Sequence, residues 1–138
     1  MSGRVLIVDD DPFMGALAEA LVVRQGRSAI LVSTGAAALA RLAEPPPSLV
    51  LLDLGLPDVP GLEVLRLLRA ASGWSGVRIL VLTASHQMDD IVAAKRAGAS
   101  GYICKPVQPD ALSEMICDLL DQPQLTWVDD YTRSRRLS

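Results

Sequence analysis

Several reactive side chains in this sequence sit directly behind short apolar runs. "VLIV" (5–8) leads into Asp9, Asp10 and Asp11, followed by Pro12, and "LVLL" (49–52) leads into Asp53. "VRILVLT" (77–83) ends on Thr83, and "GYIC" (101–104) runs into Lys105. Adjacent carboxylates repel one another, so acids gathered from two places call for a compensating cation. Mg2+ meets that need with one or two carboxylates, waters and phosphate oxygens. A lysine adds a flexible point charge, and a threonine hydroxyl can donate or accept. Acids for a metal, with lysine and hydroxyl for phosphoryl oxygens, describe a phosphate site. A carboxylate can itself be the nucleophile in such chemistry, forming an aspartyl phosphate.

These residues share a position relative to the elements that carry them. Five short apolar segments read as strands: 4–8, 29–32, 49–52, 77–83 and 101–104. Each is followed by a helical pattern: 13–26, 35–44, 62–71, 88–98 and 109–122. In the first helix Leu17, Ala20, Leu21 and Arg24 follow a 3.6-residue spacing, and Gly26 is a stop signal. Asp11 or Asp10 is the expected N-cap, with Pro12 in the first turn. The last helix carries one apolar stripe, Leu112, Met115, Ile116, Leu119 and Leu120. The strands are continuously apolar rather than alternating, which suits a parallel sheet covered on both faces. In such sheets ligands bind beyond the carboxyl ends of the strands, where the strand order reverses. Four of the five strand ends here carry a charged or hydroxyl residue, all on that one edge.

The composition excludes other classes. The 138 residues suffice for one domain. With 50% hydrophobic and 21% charged residues, the chain has the means to fold. A net charge of −3 gives no general attraction to nucleic acid or anionic membrane. No apolar run approaches the roughly 20 residues of a membrane span. Cys104 and Cys117 lack metal-ligand spacing and are expected to be buried thiols in a reducing cytoplasm. After Pro123 the periodicity stops, so 1–122 is expected as the domain and 123–138 as a tail or truncated linker.

"VLIVDDDP", "LLDLGLPDVPGLEVL", "VLTAS" and "GASGYICKP" together resemble the receiver domain of two-component response regulators, over roughly residues 4–121. The resemblance implies a flavodoxin-like (βα)5 fold with a five-stranded parallel sheet in the order 2-1-3-4-5. It implies that Asp9 and Asp10 order Mg2+ together with Asp53 and the backbone carbonyl of Gly55. Asp53 is then the phosphoacceptor, and Thr83 and Lys105 assist it. Ala84 leaves room for the phosphoryl group. Thr83 and Tyr102 form the switch, the ring moving inward with the hydroxyl, and the Lys105–Pro106 peptide bond is cis. Gly55 and Ser85, at positions tied to dephosphorylation rate, are both small. The sequence departs from the family at Pro60, where an aspartate usually precedes the glycine and caps the third helix.

The implied partners are a sensor histidine kinase or a histidine phosphotransfer protein, and an output domain or protein partner. A homodimer is possible through the face made by the fourth helix, fifth strand and fifth helix. Nucleic acid is expected only through an output domain outside this chain. The implied role is that of a phosphoacceptor switch that catalyses its own phosphorylation and slow dephosphorylation, not of a turnover enzyme. Two alternatives stay open: an Mg2+-dependent phosphohydrolase with an aspartate nucleophile, which Phe13 disfavours, and a docking module independent of phosphate. His86 is expected as a solvated loop residue, Cys104 as packing opposite Lys105, and the basic cluster "RSRR" (133–136) as solvated.

Overall fold

The computed structural model describes residues 3–85 and 87–129; His86 and the basic cluster at 133–136 lie outside the described residues. In chain order the elements are β1 (Arg4–Val8), α1 (Pro12–Arg24), β2 (Ser28–Val32), α2 (Gly35–Ala40) and β3 (Leu49–Asp53). They continue with α3 (Gly61–Ala70), β4 (Arg78–Thr83), α4 (Met88–Arg96), β5 (Gly101–Cys104), α5 (Pro109–Asp121) and β6 (Val128–Asp129). All strands pair in parallel, in the order β2-β1-β3-β4-β5-β6. This is the flavodoxin-like arrangement, extended by a sixth strand. Five strands were expected. The sixth comes from the segment read as tail, because two residues are too short to carry a period.

Alternation along the strands divides the core into two layers. Val5, Ile7, Leu49, Leu51, Leu80, Leu82 and Ile103 face one way, against Met14, Ala18 and Val22 of α1 and Leu112, Met115, Ile116 and Leu119 of α5. Leu6, Val8, Val50, Leu52, Ile79, Val81 and Tyr102 face the other way, against Val64, Leu65 and Leu68 of α3, Trp74, and Ala94 of α4. Both faces of β1, β3 and β4 are buried, which is why these strands read as unbroken apolar runs. Shortening one of these leucines to alanine costs about 2–5 kcal/mol.

The stripe of α5 lies where its spacing put it, with Leu120 at the margin of the core. The 3.6-residue spacing in 13–26 does mark a helix, but it does not tell the buried face: Met14, Ala18 and Val22 are buried, Leu17 and Leu21 pack at the margin, and Ala20 and Arg24 are exposed. That helix is apolar on nearly all sides, so its sequence does not fix its rotation. Asp11 is its N-cap, accepting from the Phe13 N–H at 3.0 Å, with Pro12 in the first turn. The helix 35–44 is shorter than expected: α2 stops at Ala40 and passes into a 3₁₀ turn, Arg41–Ala43. Among the described residues no helix is long and apolar enough to cross a membrane.

Candidate phosphoryl-acceptor site

The order of the sheet reverses direction at β1, which lies between β2 and β3. A cleft opens where the chain leaves β1 and β3 on opposite sides, as topology requires. β1 and β3 pair directly, Val8 against Leu52, so Asp9 and Asp53 emerge side by side. Both are almost fully buried, at 3% and 5% exposure, while Asp10 is exposed. Carboxylate oxygens of Asp9, Asp10 and Asp53 lie within 4.8 Å of one another and form a cluster able to hold a metal ion. Lys105, directly after β5, reaches across to it: its Nζ is 3.2 Å from Asp9 Oδ2 and 3.5 Å from Asp53 Oδ1. Burial works against the charged lysine, but Asp53 and then Asp9 outweigh it and hold the ammonium above its ordinary value of 10.5.

One ammonium against three carboxylates leaves two negative charges uncompensated. The buried Asp9 Oδ2 also has no hydrogen bond of ordinary geometry, although Lys105 lies close in charge. Lys105 offsets part of the cost of burying that oxygen, and a hard divalent ion fits the negative charge that remains. Backbone amides fix the other oxygens. Asp9 Oδ1 accepts from the Asp11 N–H at 2.9 Å, and Asp53 Oδ1 from the Gly55 N–H at 3.0 Å.

The cleft, of about 590 Å³, is lined by Asp10, Asp53, Gly55, Thr83, Ala84 and Lys105, among others. Its floor depends on Gly61: a Cβ there would lie 2.3 Å from Leu54 Cα, so only glycine lets α3 start so close to the β3 loop. Pro60 occupies the N-cap of α3 and makes no side-chain cap bond. The Lys105–Pro106 bond is cis.

Thr83, 7% exposed, accepts the Ser85 N–H on Oγ1 at 3.1 Å. Tyr102 is 1% exposed, with its ring in the layer beneath α4 and its hydroxyl donating to the Ser85 carbonyl. Burial, then the adjacent Cys104 thiol, push that hydroxyl up to about 12. The Cys104 thiol lies 3.4 Å from the same carbonyl, and the Ser85 hydroxyl donates to Asp90. Neither cysteine forms a disulfide, and both are half-buried, not fully buried as expected.

Two contributors were missed from sequence. Asp90 lines the cleft and holds Ser85, yet an acid in the first turn of a helix reads simply as a complement to the helix dipole. Asp58 reaches from the β3 loop to accept the Gly35 and Ala36 N–H groups at 2.8 and 2.9 Å, joining Thr34 in capping α2. The Ala36 bond and then the Gly35 bond hold its carboxyl below the usual 3.8. Nothing in the local pattern of "LPDVPG" points to a helix end 22 residues upstream.

The profile of the response regulator receiver domain matches residues 5–117. The transcriptional regulatory protein KdpE of Mycobacterium tuberculosis is 47% identical over 107 residues, covering 77% of this chain and 46% of the relative. The DNA-binding response regulator MtrA of Mycolicibacterium smegmatis is 39% identical over 112 residues, covering 81% and 48%. The chain thus spans about half the length of the curated relatives it matches. A CheY-like receiver domain from Methanospirillum hungatei superposes with a TM-score of 0.82 at 30% identity, covering 90% of this chain and 98% of that one. A LuxR-family two-component response regulator from Aurantimonas gives a TM-score of 0.82 at 26% identity, with both chains fully covered. The chain belongs to the response regulator receiver domains, the regulatory phosphoacceptor family of two-component systems.

Proposed function

We propose that this receiver takes a phosphoryl group on Asp53 from a phosphohistidine, carried by a sensor histidine kinase or a histidine phosphotransfer protein. The observation that carries the reading is the convergence of Asp53 with Asp9, Asp10 and Lys105 at the point where the sheet reverses. Gly55 and Lys105 engage Oδ1 of Asp53, and Oδ2 is assigned as the nucleophile. Its electron pair forms the P–O bond as the P–N bond breaks, and the departing pair stays on the imidazole nitrogen. Mg2+, held by Asp9, Asp10, Asp53 and the Gly55 carbonyl, would supply charge neutralisation at the phosphoryl oxygens. Lys105 adds a fixed positive charge beside the same oxygens. Ala84 keeps the space open, and Thr83 turns its hydroxyl onto the new acyl phosphate.

The added negative charge then reorganises the loops after β4 and β5 and changes the α4-β5-α5 face. That face would signal to an output domain or partner, or to a second copy of the chain. The relatives, a transcriptional regulatory protein and a DNA-binding response regulator, support a DNA-binding output domain outside this chain. We assign the protein to the cytoplasm, where kinase and output meet. Transfer and slow loss of the phosphoryl group are catalysed by the receiver's own residues. No observation favours the hydrolase or the phosphate-independent module.

Acetyl phosphate with Mg2+ should add one phosphoryl group, measured as intact mass and located by borohydride trapping. Asp53→Asn should abolish the adduct. Equal labelling of that variant would contradict the assignment.

A further inference from the structure

The stretch 123–129 after α5 is held in place at both ends. Its base is clamped by the Arg78 guanidinium, which donates to the carbonyls of Gln122, Pro123 and Leu125. Its tip adds β6 to the outer edge of β5. The Val128 N–H donates to the Ser100 carbonyl at 3.1 Å, and Tyr102 lies in register with Asp129. Gly101 makes this approach possible, because a Cβ there would lie 2.6 Å from the Val128 carbonyl oxygen and from its Cγ2.

Alternation places Val128 on the α1/α5 side of the sheet, where it is 3% exposed. Trp127 and Asp129 therefore lie on the other side, the side of Tyr102. Trp127 packs against the layer containing Tyr102, Ala94 and Ala99, and its indole N–H donates to Asp129. The Lys95 ammonium of α4 stands 5.0 Å over its ring. α4 has only Ala94 fully buried, so it is the most lightly seated of the longer helices. β4 flanks Tyr102 on the inner side; among the described residues, the next strand on the outer side is β6 of this segment. Trp127 and Asp129 thus occupy the outer edge beside Tyr102, on the same side of the sheet as its ring.

We propose that residues 123–129 form a strap that holds Tyr102 in its buried position, so that strap docking and phosphorylation at Asp53 favour each other. The second half of this statement rests on the receiver reading above. Coupling of this kind is reciprocal. Whatever keeps the ring buried stabilises the strap, and whatever seats the strap favours the conformer with the ring buried. The strap also lies over the middle of the α4-β5-α5 face, so a second copy or an output domain meets this face with the strap as part of it.

The Val128 amide reports strap detachment directly, because its hydrogen bond exists only while β6 is paired. Exchange should be measured by NMR in the full chain, with and without beryllofluoride and Mg2+. Loading should raise protection of Val128 several-fold, and Trp127→Ala or Lys95→Gln should remove most of the gain. Unchanged protection, in a sample whose amide shifts at 83–105 prove loading, overturns the proposal. If beryllofluoride does not bind, the receiver reading fails, and the strap is judged in the unloaded protein. There Tyr102→Phe, which removes the hydroxyl bond to Ser85, should lower Val128 protection by about fivefold, the factor of one ordinary hydrogen bond. No change in that variant overturns the coupling as well.

Discussion

The two halves of the sheet's carboxyl edge are built from different materials. At β1 and β3 the contacts are ionic: three carboxylates, one lysine, and a buried oxygen of Asp9 without a hydrogen bond. At β4 and β5 they are hydrogen bonds that converge on one residue, and the one carboxylate among them is that of Asp90. Ser85 gives its N–H to Thr83 and its hydroxyl hydrogen to Asp90, and its carbonyl accepts Tyr102. The ionic half has an excess of negative charge and is suited to bind a cation and a phosphoryl group. The hydrogen-bonded half holds a single carboxylate, Asp90, and suits a small shift between two hydrogen-bonding arrangements. On the proposed reading, chemistry and response are separated by about one strand, with Lys105 at the end of β5 reaching from the second region into the first.

Breaking the ionic half should give the largest effect short of removing the nucleophile. Asp10→Ala should weaken Mg2+ binding by about tenfold or more, as loss of one of few carboxylate ligands requires. Amide shifts followed through a Mg2+ titration check this. An unchanged titration would remove Asp10 from the site.

Alkaline pH separates the halves differently. Tyr102 titrates near 10.0 when unfolded and at about 12 when buried, so its folded-state value is raised. Its contribution is complete below pH 10.0 and is lost as pH rises toward about 12. Lys105, also raised, from 10.5, loses its contribution in the same direction. Wild-type stability should therefore fall from pH 10 upward, and Tyr102→Phe should flatten that fall while leaving the lysine part. Urea unfolding at a series of pH values measures the difference.

The smallest effect is expected at Asp58, which lies in neither half. Its carboxyl is held below 3.8 by the Ala36 and Gly35 amides. Its contribution is present above pH 3.8 and lost as pH falls through its lower folded value. Asp58→Ala should lower Tm slightly at pH 7 and leave phosphorylation intact, and the Tm difference from wild type should shrink in acid.

The ionic half was legible in the sequence because charges directly after apolar strands are conspicuous and the parallel sheet brings every strand end to one edge. Asp9, Asp10, Asp53 and Lys105 all fall where that logic puts them. The hydrogen-bonded half was legible only in its side chains. Thr83 and Tyr102 could be named, but their common partner is the backbone of Ser85, and backbone groups have no signature in a sequence. The same holds for the strap: Arg78 reads as a surface charge, yet its three acceptors are carbonyls more than forty residues away. The buried face of α1 was not legible for another reason. A helix apolar on almost every side offers no contrast from which to read its buried face.

The central claim is that charge received in one half is read in the other through Thr83. Its most direct test is beryllofluoride loading of wild type and Thr83→Ala, comparing amide shifts of residues 83–110. One charge-assisted hydrogen bond is worth about 1.5–3 kcal/mol, enough to move a balanced population by about tenfold or more. Thr83→Ala should still label at Asp53 with acetyl phosphate at a near-normal level, while its shifts around Tyr102 stay near the unloaded positions. Shifts that move as far in Thr83→Ala as in wild type would contradict the account, leaving Tyr102 as ordinary packing.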